Sequence, residues 1–171
     1  IIGCEVYVAP RSRFDREHGV DSDYSHLILL CKNETGYKNL CYIVSCSFTE
    51  GFYGKPRIDW KLLSEHCEGL ICLSGCIAGA IPKMLFRGDY EGAKSKAEEL
   101  SALFGRDGFY LEIQDHGLAQ ERRAAEGLLR IHRETGIPLA LTNDAHYIEK
   151  KDAPYQDVLM CISMQKSLSD P

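Results

Sequence analysis

Apolar residues in this chain fall into short runs separated by polar, turn-forming stretches, and the runs alternate between strand-like and helical spacing. Residues 1–9, rich in Ile and Val, predict a strand, and residues 25–32 (SHLILLCK) predict a second, buried one. Asn33 is placed to cap a helix whose apolar positions Tyr37, Leu40, Ile43, Val44 and Phe48 keep helical spacing. Gly51, Gly54 and Pro56 mark residues 50–57 as a loop, and Asp59 is a cap for a short helix ending at His66. A strand follows at 69–74 (GLICLS), then helices at 78–87 and 90–104, then a strand at 109–114 (FYLEIQ). The pattern predicts a helix over 119–135, stopped by Gly136 and Pro138, a strand at 138–142 (PLALT) and a last helix at 152–163. Residues 10–24 are polar and charged and are expected to form a mobile loop.

Strands alternating with helices imply a parallel α/β arrangement, a barrel or part of one. A doubly wound sheet is the alternative, but no Gly-rich phosphate loop follows any strand. The length of 171 residues suits one domain, and no apolar run approaches the ~20 residues that span a bilayer. The chain opens inside a strand-like run with no initiator Met or leader pattern, and it ends on Asp170-Pro171, so it is expected to be a piece of a longer protein. A net charge of −5 and the lack of a Lys/Arg run argue against a free-standing duplex-DNA grip. Of the eight cysteines, Cys31, Cys41, Cys46 and Cys161 lie in apolar runs and are expected to act as reduced core residues of a cytoplasmic protein.

Candidate chemistry collects where predicted strands end. Asp144 and His146, two apart after PLALT, point to one side of an extended segment and form a chelating pair for a divalent metal. The competing reading makes Asp144 a helix cap and bonds His146 to a backbone carbonyl. Cys72 and Cys76 have C-x₃-C spacing with no second pair, which excludes a Cys₄ zinc site; Cys76, just past Gly75, can join a mixed site or simply pack in the core. Glu5, a carboxylate among apolar neighbours, must be paired, metal-bound or on an exposed edge. His26 opens its strand, the end usually remote from a barrel's active face, where a structural histidine is the commoner outcome. Asp115 and His116, in QDHG after FYLEIQ, fit a ligand, a substrate contact or a turn equally well.

The segments GCEVYV, HLILL-x-KN-x-TGY-x-NL, GLICLSGC-x-AG and TNDAHY, in that order, resemble the PHP (polymerase and histidinol phosphatase) domain of bacterial DNA polymerase III alpha subunits; QDHG and the closing SLSDP fit as well. The resemblance implies a distorted (β/α)₇ barrel, with residues 1–171 a partial PHP domain that lacks the first part of the barrel and belongs to a much longer polymerase chain. It implies a metal centre of zinc or manganese-like ions with Glu5, His26, Cys76, Asp144 and His146 as ligands. Asp115 and His116 would touch substrate or support the ligands. The family's opening His-x-His motif and its next Asp and His ligands would precede Ile1. In the family such a centre supports phosphoester hydrolysis, in some members 3′→5′ exonuclease proofreading; in others the domain is a scaffold that docks a proofreading subunit. The implied parent is a DNA-directed DNA polymerase of the bacterial cytoplasm, with primer-template DNA and the rest of its own chain as partners. A free-standing PHP phosphatase is the remaining alternative, and TGYKNL and GLICLSGC favour the polymerase form.

Overall fold

The computed structural model describes residues 1–170; Pro171, the last residue of the SLSDP segment, lies outside them. The strands are β1 (Gly3–Val8), β2 (Ser25–Cys31), β3 (Arg57–Ile58), β4 (Leu70–Leu73), β5 (Phe109–Ile113) and β6 (Leu139–Leu141). The helices are α1 (Glu34–Thr49), α2 (Trp60–Glu65), α3 (Ala80–Phe86), α4 (Tyr90–Phe104), α5 (Ala119–Thr135) and α6 (Ala153–Met164). The strands form one six-stranded sheet in the order β3-β1-β2-β4-β5-β6.

This is a mixed α/β sheet rather than a wholly parallel one. β3 with β1, β4 with β5, and β5 with β6 are parallel, but β2 runs antiparallel to both of its neighbours, β1 and β4. β3, which begins at the last residue of the stretch expected to be loop, pairs Tyr7 with Arg57 and Val8 with Ile58. Among the described residues β3 and β6 end the strand order.

Alternation along the strands builds the core. Val6, Val8, Leu27 and Leu29 are buried and join Ile43, Leu63, Phe109 and Ile131 in one apolar cluster, while Glu5, Tyr7, His26 and Ile28 remain half-exposed. The buried stripe of α1 is Gly36, Leu40, Ile43, Cys46 and Ser47, so Tyr37 and Phe48, expected inside, face solvent. The Asn33 side chain accepts the Gly36 N–H as a cap, and a Cβ on Gly36 would collide with the Gly69 carbonyl, which explains a glycine in the first turn of α1. All eight cysteines are free thiols; Cys46 and Cys72 are buried, and Cys41, expected in the core, is exposed.

The loop expected to be mobile is tied down. The Arg57 side chain is 0% exposed and donates to the carbonyls of Gly51 (3.1 Å), Asp21 (2.6 Å), Arg13 (3.2 Å) and Asp15 (2.9 Å). Arg13 pairs with the buried Asp59 at 3.0 Å, and Arg11 with the buried Asp21 at 2.6 Å.

Between α4 and α5, the Glu134 carboxylate accepts from Lys94 and from Arg130, each at 2.9 Å. The Lys94 hydrogen bond, followed by that of Arg130, pulls the carboxyl from its ordinary 4.5 down to about 2. A depressed folded-state value means that stability is present above the ordinary value and lost as pH falls through the folded one. Glu134→Gln is therefore expected to melt below the wild type at neutral pH, with the gap closing as pH drops from 4.5 toward about 2. Urea unfolding of both chains across that range checks it; a gap independent of pH would contradict it.

Candidate metal centre

β1 and β2 bring the first two site residues together by register. Glu5 lies opposite Ile28 and Tyr7 opposite His26, so Glu5 and His26 are diagonal neighbours on the face turned away from the core. His26 stands at the start of β2, and the sequence expectation put that end away from the site. The antiparallel sense of β2 reverses this: its first residue lies beside the C-terminal end of β1, where Val8 pairs with Ser25.

The third residue comes from the turn after β4. Gly75 has φ +82°, a conformation that L side chains rarely adopt, and a Cβ there would run into the His26 carbonyl. The next residue, Cys76, thus sits over β2. The turn is pinned by the His26 N–H donating to Ala78 O at 3.1 Å and the Gly79 N–H donating to Cys76 O at 2.8 Å.

His26 Nδ1 lies 3.1 Å from Glu5 Oε1 and 3.6 Å from Cys76 Sγ. Ligand atoms of all three residues fall within 4.8 Å of one another. The contact with Cys76, then that with Glu5, pushes the imidazole up to about 9 against the opposing effect of burial. The Glu5 carboxyl is held below its ordinary value, first by the hydrogen bond from His26, with the charges of His26 and His146 adding to it against burial. A carboxylate, an imidazole and a thiol converging on one point is a donor set that suits a borderline divalent cation such as zinc.

Asp144 and His146 follow β6 and are exposed. They line one cleft of about 390 Å³ together with Cys76, Gln114, His116 and Asn143. They are not within the three-residue group, although His146 acts on the Glu5 carboxyl through its charge. Asp144 holds a left-handed backbone (φ +45°), uncommon for a residue with a side chain. His146 Nδ1–H donates to the Asp144 carbonyl at 2.8 Å, so in the neutral ring Nε2 is the lone-pair nitrogen. Thus the backbone bond weighed against chelation for His146 is present, and it fixes the tautomer a ligand needs.

His116 does not have a ligand's free nitrogen. Nδ1 meets Glu121 Oε1 at 2.6 Å and Nε2 meets the Asn143 carbonyl at 2.6 Å; both partners are acceptors, so both ring nitrogens donate. The Glu121 hydrogen bond, then that to Asn143, raises the imidazole above its ordinary value. Burial pushes the Glu121 carboxyl up, but hydrogen bonds from the His116 ring and from the main chain outweigh it and leave the carboxyl lowered. Asp115 is exposed, and its side chain accepts the Gly117 N–H at 3.1 Å, a turn-forming role.

Sequence reasoning missed two buried carboxylates here, Glu112 and Glu121. The signal for Glu112 was present: a carboxylate within the apolar run FYLEIQ must find partners.

Residues 1–116 match the family model described as PHP domain. The chain is similar to DNA polymerase III subunit alpha of Treponema pallidum (strain Nichols), 52% identical over 172 residues that take in 100% of this chain and 15% of that protein. The protein of the same description from Thermus aquaticus is 44% identical over 173 residues, 100% of this chain and 14% of that protein. That from Borreliella burgdorferi is 44% identical over 171 residues, 99% of this chain and 15% of that protein. The chain thus spans about 15% of the length of these curated relatives.

Proposed function

Since this chain belongs to the PHP domain family, we propose that Glu5, His26 and Cys76 hold a divalent metal ion, zinc or manganese, and that Asp144 and His146 extend the centre across the adjoining cleft. The observation that carries the reading is the approach of three ligand atoms from three different segments to within 4.8 Å. On this reading the six strands are one wall of a distorted seven-stranded barrel, and residues 1–171 are a partial PHP domain of a DNA polymerase III alpha subunit. The parent would act as a DNA-directed DNA polymerase in the bacterial cytoplasm, with primer-template DNA and a proofreading subunit as partners. Among the described residues no helix is long and apolar enough to cross a membrane.

The proposed activity is phosphoester hydrolysis of the 3′→5′ exonuclease kind. A divalent ion bound here would lower the pKa of a water and offset charge on the phosphate oxygens. The chain's own residues orient and exclude. Cys76 lines the cleft and touches His26 beside it; His146, with Nδ1 already committed to the Asp144 carbonyl, lines the same cleft with Nε2 left for a ligand's role. Tyr7 and Tyr24 pack edge-on at 4.8 Å, Tyr24 stacks on His26, and together they limit water around the ring.

The test is made on the full chain. After dialysis against zinc or manganese, retained metal is measured, and hydrolysis is followed on 3′-labelled single-stranded DNA with and without chelator. Retained metal with chelator-sensitive release of the label is the expected result. Metal retention without hydrolysis would favour the scaffold role, and no retention would sink the metal reading.

A further inference from the structure

The turn that carries Cys76 and the loop that carries Asp144 and His146 meet across one carboxylate. Glu112, on β5, is 5% exposed. Its Oε2 accepts the Gly75 N–H at 3.0 Å. Its Oε1 accepts the Thr142 hydroxyl at 2.5 Å and the Gln114 side-chain amide at 3.2 Å. Its own N–H donates to Ser74 Oγ at 2.8 Å. Every side chain and main-chain group bonded to Glu112 is neutral. Gly75 immediately precedes Cys76, and Thr142 stands two residues before Asp144.

A buried carboxylate is a costly way to fill this place, since desolvation opposes it and an apolar residue would close the sheet with less penalty. What a carboxylate supplies is two acceptor oxygens at a fixed separation, one for each loop. A second, independent grip acts on the next residue of the same loop: His116, itself held by Glu121, donates to the Asn143 carbonyl. We propose that Glu112 is a positioning residue that sets the span between Cys76 and the Asp144–His146 pair, with Thr142 as the contact through which it acts on that pair. This rests on the metal reading given above. Metal-site supports of this kind typically change affinity by about 10–100-fold.

The test uses the full chain and cobalt(II) as probe, read by its visible absorption. Thr142→Val keeps the shape and removes only the hydroxyl, and Glu112→Gln keeps an acceptor for Gly75; neither relies on a large cavity. Both are expected to bind cobalt about tenfold or more weakly and to alter the cobalt spectrum. In a background carrying both Asp144→Ala and His146→Ala, Thr142→Val is expected to have no further effect, because the pair being positioned is gone. A purely structural role would lower affinity by the same factor in both backgrounds, and that result would overturn the proposal. So would wild-type affinity in both single variants. A wild type that binds no cobalt would remove the metal reading and this proposal together, whereas a wild type that binds, with unaffected variants, removes only the positioning role.

Discussion

Cys76→Ala is expected to weaken zinc binding by the full chain more than about 100-fold, while leaving its thermal melt close to that of the wild type. Loss of a mere supporting partner costs about 10–100-fold, and loss of a ligand must exceed that. The substitution reduces the three-residue group to Glu5 and His26, a carboxylate and an imidazole on neighbouring strands. Stability should change little because Cys76 is only partly buried and its sulfur faces His26 rather than the apolar cluster. Cys72→Ala provides the opposite pattern. That thiol is fully buried, and burial drives it well above the usual thiol range, so it stays protonated and packs as a small hydrophobe. It should lower the melting temperature and leave zinc affinity unchanged. Calorimetric zinc titrations and thermal melts of the three chains check this; equal affinity for Cys76→Ala and wild type would remove Cys76 from the ligand set.

The second large effect is structural. Arg57→Met should destabilise the chain by about 3–5 kcal/mol, because the substitution keeps the volume but strips the donors from buried carbonyls. The carbonyls of Gly51, Asp21, Arg13 and Asp15 converge on this one guanidinium and would be left without it. The same segment should become more open to trypsin at Arg11, Arg13 and Arg16, since Arg57 binds the carbonyls of residues 13, 15 and 21 to the sheet edge at β3, and the Arg13–Asp59 pair is the main tie left. Arg16→Ala is the control: its side chain makes an exposed hydrogen bond to the Glu50 carbonyl at 3.1 Å, and it should lie within about 0.5 kcal/mol of wild type. Urea unfolding measures both. A loss below about 1 kcal/mol for Arg57→Met would show that water replaces the guanidinium at those carbonyls.

Much of the fold was legible because its elements are long enough to carry a period. The helix at Ala119–Thr135 and the strand at Phe109–Ile113 sit where spacing, the Gly136 stop and β-rich composition put them. What escaped is what tertiary pairing alone decides. A two-residue strand such as β3 has no period, and its central feature, Arg57, looks like a loop residue until its carbonyl partners are known. A short apolar run such as SHLILLC carries no sign of direction, so the antiparallel sense of β2, and with it the position of His26, was not readable. Charge density made residues 10–24 look solvated, although their arginines and aspartates pair with one another and with Asp59. At the site, spacing alone left Asp144, His146 and Cys76 open to structural readings, and only the family resemblance raised His26 and Cys76 above them. The geometry brings Glu5, His26 and Cys76 together, leaves Asp144 and His146 exposed in a cleft that Cys76 also lines, and commits both nitrogens of His116 elsewhere.

The central claim is that Glu5, His26 and Cys76 share a metal ion, and X-ray absorption of the zinc-loaded full chain at the zinc edge tests it most directly. One sulfur neighbour at about 2.3 Å is expected among nitrogen and oxygen neighbours at about 2.0–2.2 Å, with the sulfur lost in Cys76→Ala. A spectrum with only nitrogen and oxygen neighbours, or one unchanged by Cys76→Ala, would contradict it.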